Sequence, residues 1–404
     1  MLVTVSCSLS SSWFAHSGSA TPTSQNCFAA GCKPSSLPCN HHIADMRLPL
    51  RPLPAYLLTL LIAFAAAQLF VWWHVPLPWL TGPLLVTGVL SVMQLPVVSL
   101  NRMRNLAQWA MGSALGMYFS SEILGLLAQL WWAVGLAVMF SLGLGLLSAR
   151  FIAWCNRGND GFHSPEQLHS TAYFSGVIGA ASEMSILAER SQARTDLVAA
   201  SHSLRLMLVT LCVPFLVALI EREVPAASLP SAPLALSFEP AGFALFALLT
   251  AAGVAVFQWL RQPNPWFLGP FAASVIMALC DLQLSALPPG LSNAAQLVIG
   301  ISLGVRFNRQ FLKSAPRWAL SITLLTLGLI ALCAGFAWLL WQCMDLDYTS
   351  LLLATAPGGI VEMSITAKIF ALSVPVVTSF QVTRLIAVLL LTEPLHRWLY
   401  VRKT

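Results

Sequence analysis

Polar and apolar positions along this chain are grouped in blocks the size of membrane-crossing segments. No Asp, Glu, Lys or Arg occurs from Pro52 to Asn101. Apolar runs recur at 55–73, 76–100, 106–121, 123–149, 171–188 and 197–220, and again at 241–260, 265–280, 293–305, 318–344, 349–367 and 369–392. Several reach the roughly 18 residues needed to cross about 30 Å of hydrocarbon. The period-2 alternation of a membrane β-barrel is absent. The pattern predicts an all-α, polytopic transmembrane helical bundle.

The runs also repeat. Pro78-Trp79-Leu80-Thr81-Gly82-Pro83 returns as Pro265-Trp266-Phe267-Leu268-Gly269-Pro270. The stretch 105–119, NLAQWAMGSALGMYF, returns at 293–307 as NAAQLVIGISLGVRF. Gly179, Glu183, Met184, Ser185, Ile186 and Ala188 return as Gly358, Glu362, Met363, Ser364, Ile365 and Ala367, and on the same spacing Arg205 returns as Arg384. Two membrane repeats are expected, 46–223 and 240–404, joined by a linker at 224–239. Arg102 and Arg104 place the start of the third run in the cytoplasm, whereas the basic cluster at 306–317 places the end of its counterpart there. Those signals require inverted repeats of about five spans each, with the glycine-broken runs bearing Glu183 and Glu362 as re-entrant or interrupted segments and both termini cytoplasmic. Six spans per half in parallel orientation is the alternative.

Composition narrows the picture. Of the 404 residues 57% are hydrophobic and 9% charged, against about 25% charged in a soluble domain. The net charge of +6 resides in basic residues between hydrophobic runs, so it writes topology and not a nucleic-acid surface. Residues 1–45 are rich in Ser, Thr and Pro and are read as a disordered extension or a mis-assigned start; Met46 opens a basic stretch and a spanning helix in the manner of an inner-membrane protein. Cys32, Cys39, His41 and His42 match no standard zinc spacing. No phosphate loop, HExxH or Gly-x-Ser-x-Gly element occurs. No enzyme activity, cofactor or metal site is expected.

Glu183 and Glu362 carry the functional question, because an ionised group in mid-membrane costs about 2.5–3.5 kcal/mol and needs a partner or a watery cavity. Pairs Glu183–Arg205 and Glu362–Arg384 read either as ion pairs pinning the broken helices or as a shared midplane site. Gly179, Gly358 and Gly359 would let the backbone turn and present N–H groups to an anion, or permit close packing. Met184 and Met363 read as packing. Ser185 and Ser364 have hydroxyls for backbone or solute, and His202, one turn before Arg205, corresponds to Gln381, which cannot titrate. Gly112–Gly116 and Gly300–Gly304 read as helix-packing motifs, and Trp79 and Trp266 as interface anchors. The expected partners are lipid and an unnamed small solute or ion, with homo-oligomerisation left open and nucleic acid excluded.

The paired Gly-x-x-x-Glu-Met-Ser-Ile segments with their following arginines, and the duplicated PWxxGP and NxAQ pieces, resemble the AbrB family of bacterial membrane proteins over about 52–400. The family's Pro-Gly-Gly lead-in appears only in the second copy, as Pro357-Gly358-Gly359. The resemblance implies a multi-pass inner-membrane protein labelled either ammonia monooxygenase or regulator of gene expression. The first label conflicts with the missing metal ligands, and the second must be indirect without a DNA-binding domain. A small-solute secondary transporter or permease is the favoured expectation; a membrane-embedded sensor or regulator is the alternative.

Overall fold

The computed structural model describes residues 52–158, 162, 164–221, 238–282, 284–285, 287–288, 290–306 and 315–401. The expectations for 1–45, for the Cys32–His42 cluster and for most of the linker at 224–239 lie outside the described residues. Among the described residues the regular structure is helical throughout: α1 (Pro52–Trp72), α2 (Pro78–Val92), α3 (Asn101–Gly116), α4 (Ser121–Gln129), α5 (Trp131–Cys155), α6 (Pro165–Gly176), α7 (Ala181–Arg190), α8 (Thr195–Glu221), α9 (Pro240–Trp259), α10 (Pro265–Leu279), α11 (Leu291–Gly304), α12 (Pro316–Trp341), α13 (Tyr348–Thr355), α14 (Ile360–Ile369) and α15 (Val374–His396).

Six of these, α1, α5, α8, α9, α12 and α15, are long and apolar enough to cross a membrane, at 19 to 27 residues. Their outer faces are apolar and exposed, as at Leu61, Met139, Leu219, Leu248, Leu320 and Leu390, which is what a hydrocarbon solvent requires. Helices α2, α3, α10 and α11 have 14 to 16 residues, about 21–24 Å at 1.5 Å per residue, and fall short of the hydrocarbon thickness. Their starts are fixed locally: Leu77 and Asn264 take left-handed conformations (φ 51° and 49°) and proline follows at the first helical position.

The chain arranges these helices as two bundles. Helices α1, α2, α3, α9, α10 and α11 pack mainly on one another, and α4–α8 with α12–α15 form the second group. The principal meetings between them are α14 on α3 and α8 on α2 and α11.

Glycine decides the first bundle. A Cβ on Gly300 would come within 2.6 Å of the Leu80 carbonyl oxygen, and one on Gly304 equally close to that of Leu84. Gly112 in turn lies on the Phe267 carbonyl, and Gly116 on Phe271 and Ser274. The glycine-xxx-glycine pairs thus seat α2 on α11 and α10 on α3, each pair running parallel. Gly82 and Gly269, beside the helix-interior prolines Pro83 and Pro270, admit the Ala66 carbonyl of α1 and the Gly253 carbonyl of α9, at 2.9 and 2.5 Å from a Cβ. Helices α3 and α11 pack antiparallel: Ser292 near the start of α11 meets Met111, while Arg306 just past its end shares a cavity with Arg104 near the start of α3.

Gly300→Val should therefore destabilise the protein by about 1–3 kcal/mol, the usual cost of overpacking. Gly335→Val, where a Cβ meets nothing within 4 Å, should leave stability within about 0.5 kcal/mol. Denaturant unfolding in detergent measures both, and equal effects would contradict the packing account.

Candidate functional site

Both expected breaks are present. Helix α6 ends at Gly176 and α7 starts at Ala181; α13 ends at Thr355 and α14 starts at Ile360. The connecting backbone is extended (Val177 φ −60°, ψ 137°; Gly359 φ −78°, ψ 149°). Gly179, Gly358 and Gly359 are not among the positive-φ residues, so glycine is needed for space and not for an unusual turn. A Cβ on Gly179 would strike Met184 Cε at 2.9 Å, and one on Gly358 would strike Met363 Cε at 2.8 Å. Each fully buried methionine folds over the glycine five residues before it. A Cβ on Gly359 would collide with the Glu362 carboxylate, which folds back over it.

A helix that stops inside the protein leaves carbonyls without partners. Arg205 Nη1 donates to the Ser175 and Gly176 carbonyls (both 3.3 Å) and Nη2 to that of Val177 (3.0 Å). Arg384 Nη1 donates to the Thr355 and Ala356 carbonyls (3.4 and 2.6 Å) and Nη2 to that of Gly358 (3.0 Å). A cation here also meets the negative end of the half-helix dipole. Neither arginine makes an ion pair with Glu183 or Glu362 among the described residues. Of the two readings of these residues, the ion pair gives way to arginine on backbone, because the broken helix end has the greater need of donors.

His202 and Gln381 prove interchangeable in role. Arg205 Nη2 lies 2.8 Å from His202 Nδ1, and Arg384 Nη2 donates to Gln381 Oε1 at 2.5 Å. On their other sides His202 Nε2 lies 2.9 Å from the Phe174 carbonyl, and Gln381 Nε2 donates to those of Leu353 and Ala356 (2.7 and 3.2 Å). A carbonyl only accepts and a guanidinium only donates. His202 is thereby held neutral with its proton on Nε2, doing what an amide does in the other half.

The half-helix starts face a cavity of about 780 Å³. Gly179, Glu183, Ser185, His202 and Arg205 line it from one half, and Gly358, Gly359, Glu362, Gln381 and Arg384 from the other. Glu183 is half-buried and Glu362 is 6% exposed. They occupy the third position of α7 and α14, near free N–H groups where a carboxylate is favoured. Ser185 bonds the Ala181 carbonyl (2.8 Å). Ser364 is absent from the lining; it is fully buried and bonded to Thr378 (2.9 Å).

Beyond these, the first bundle contributes Arg104, Asn105, Gln108, Trp266, Ser302 and Arg306. Trp266 lines the cavity, its indole N–H donating to the Asn105 amide oxygen at 3.2 Å. The spacing held a signal: Arg104 with Gln108, and Ser302 with Arg306, lie four apart and share a helix face. No group of three or more His, Cys, Asp or Glu able to hold a metal occurs among the described residues.

A family model described as "Transition state regulatory protein AbrB" matches residues 1–157 and 79–400. The chain belongs to the AbrB family. Similar proteins include YhjN of Bacillus subtilis (strain 168), 26% identical over 343 residues covering 80% of this chain and 87% of YhjN. An Escherichia coli (strain K12) protein named "Putative regulator AbrB" is 27% identical over 329 residues, covering 81% of this chain and 91% of that protein.

For this AbrB-family chain, Arg384→Gln should cost at least about 3 kcal/mol, since it strands buried carbonyls. His202→Gln should stay within about 1 kcal/mol, because the amide supplies the same donor and acceptor. Exchanging Glu183 with Arg205 should not restore stability. Unfolding in detergent tests all three, and rescue by the exchange would restore the ion-pair reading.

Proposed function

We propose that this AbrB-family membrane protein is a small-solute secondary transporter of the bacterial plasma membrane, built from two inverted repeats with both termini in the cytoplasm. The observation that carries the reading is the meeting of both broken segments, each with its glutamate at a half-helix start, at one cavity between two bundles. Broken helices at matching positions are a recurring transporter plan. The antiparallel course of α3 against α11, with parallel pairing of α3 to α10 and α11 to α2, supports the inversion. Glu183 and Glu362, with no ion-pair partner among the described residues, are the groups available to bind or couple an ion. Arg205 and Arg384 hold the breaks open.

The lining takes in the loop before α10 at Gln262–Asn264 and the end of α11, but not the corresponding loop before α2. That one-sided lining fits a single state of an alternating-access cycle in which the bundles shift against one another. The second reading, a membrane-embedded regulator, draws on the name of the E. coli relative.

The test is a thermal-stability screen of metabolites and ions in detergent, followed by flux in proteoliposomes. A solute at about 100 times its Kd adds about 2.7 kcal/mol. The stabilising solute should cross the membrane, with flux falling at least about tenfold in Glu362→Gln while the variant remains folded. Binding without flux in the unaltered protein would overturn transport and favour the regulator.

A further inference from the structure

The charges around the cavity are unbalanced and unevenly distributed. Arg104, Arg205, Arg306 and Arg384 face Glu183 and Glu362, an excess of two positive charges, and His202 is held neutral by its hydrogen bonds. The arginines fall into two kinds. Arg205 and Arg384, in the second bundle, donate to the carbonyls of the breaks. The side chains of Arg104 and Arg306, in the first bundle, have no hydrogen-bond or ion-pair partner among the described residues; the Nε of Arg104, like that of Arg384, is buried without an acceptor. Arg306 lies in the field of both Arg104 and Glu362. A buried guanidinium nitrogen without an acceptor is costly, and a planar fork of donors matches a carboxylate or phosphate oxygen pair.

Resting on the transporter reading, we propose that the cavity's solute is a small organic anion and that Arg104 and Arg306 are its anchors. The first bundle then holds the anion, and the second presents the glutamates across the gap. The start of α7, whose N-cap residue Ala180 offers no side-chain acceptor, adds N–H groups of favourable sign on the same side as the acids. Gln108, one turn from Arg104, supplies a neutral amide for the rest of the solute, and Ser302, whose hydroxyl donates to the Ile299 carbonyl (2.9 Å), can accept from it. This gives two arginines that also serve as topology signals a task inside the protein. Their neighbour Arg102 is exposed and lines nothing here.

The experiment uses the full chain in detergent with acetate, succinate, citrate and inorganic phosphate as probes, and ammonium, choline and glucose as the opposing set. At least one anion should raise the unfolding temperature in a saturable way while the opposing set does not. Arg104→Gln and Arg306→Gln should each raise the apparent Kd at least tenfold, the lysine variants should recover part of the loss, and Arg102→Gln should leave it unchanged. The lysine variants keep the charge that sets topology, so they separate misinsertion from lost recognition. Stabilisation by ammonium, choline or glucose alone would overturn the anion while leaving transport standing. So would anion binding that is indifferent to both arginines. Silence from all the anions with the unaltered protein would also overturn it.

Discussion

A helix that ends inside a membrane protein strands carbonyls at one side of the break and amides at the other, where there is no bulk water to bond them. This chain meets that condition twice, and much of its organisation follows from the solution. A buried arginine on the next long helix reaches back to the stranded carbonyls, and a histidine or glutamine one turn earlier orients it. On the amide side a glutamate sits at the third helical position, where the dipole favours it. Once the arginines are committed to backbone, neither glutamate has an ion-pair partner among the described residues, and both line the cavity. The same local chemistry that makes the break tolerable leaves an acid available.

The glycines belong to the same logic at closer range. Gly179 and Gly358 give room to Met184 and Met363, whose side chains close the apolar side of each break. The spaced glycines of α3 and α11 bring backbones together where lipid supplies no hydrophobic drive for association. Helices held by such contacts form one bundle, and the helices that carry or brace the breaks form the other. The cavity is where the two surfaces fail to fill the space between them, and its charge is set by residues from both.

Much of this was legible in the sequence. Helical class and membrane habit follow from long uncharged runs, and the residues around the breaks stand out because Glu183, Arg205 and their counterparts recur on one spacing. The partners of the arginines were not legible, since backbone carbonyls leave no mark in a sequence and a nearby glutamate looks the more obvious mate. His202 against Gln381 read as an asymmetry because titration separates the two residues, whereas hydrogen-bond geometry unites them. Arg104 and Arg306 were absorbed by the topology rule, which accounts for a basic residue at a helix end without asking where it points. Ser364 went the other way: its repeat position matches that of Ser185, but burial against Thr378 removes it from the cavity.

The central claim, that the two glutamates face a shared aqueous cavity instead of pairing with Arg205 and Arg384, is tested most directly by thiol accessibility in native membranes. Glu183→Cys, Glu362→Cys and Ser364→Cys would each be placed in a chain whose nine native cysteines are replaced, and each exposed to a water-soluble alkylating reagent. The account predicts reaction at both glutamate positions and none at Ser364→Cys. Protection at both glutamate positions, or equal reaction at all three, would contradict it.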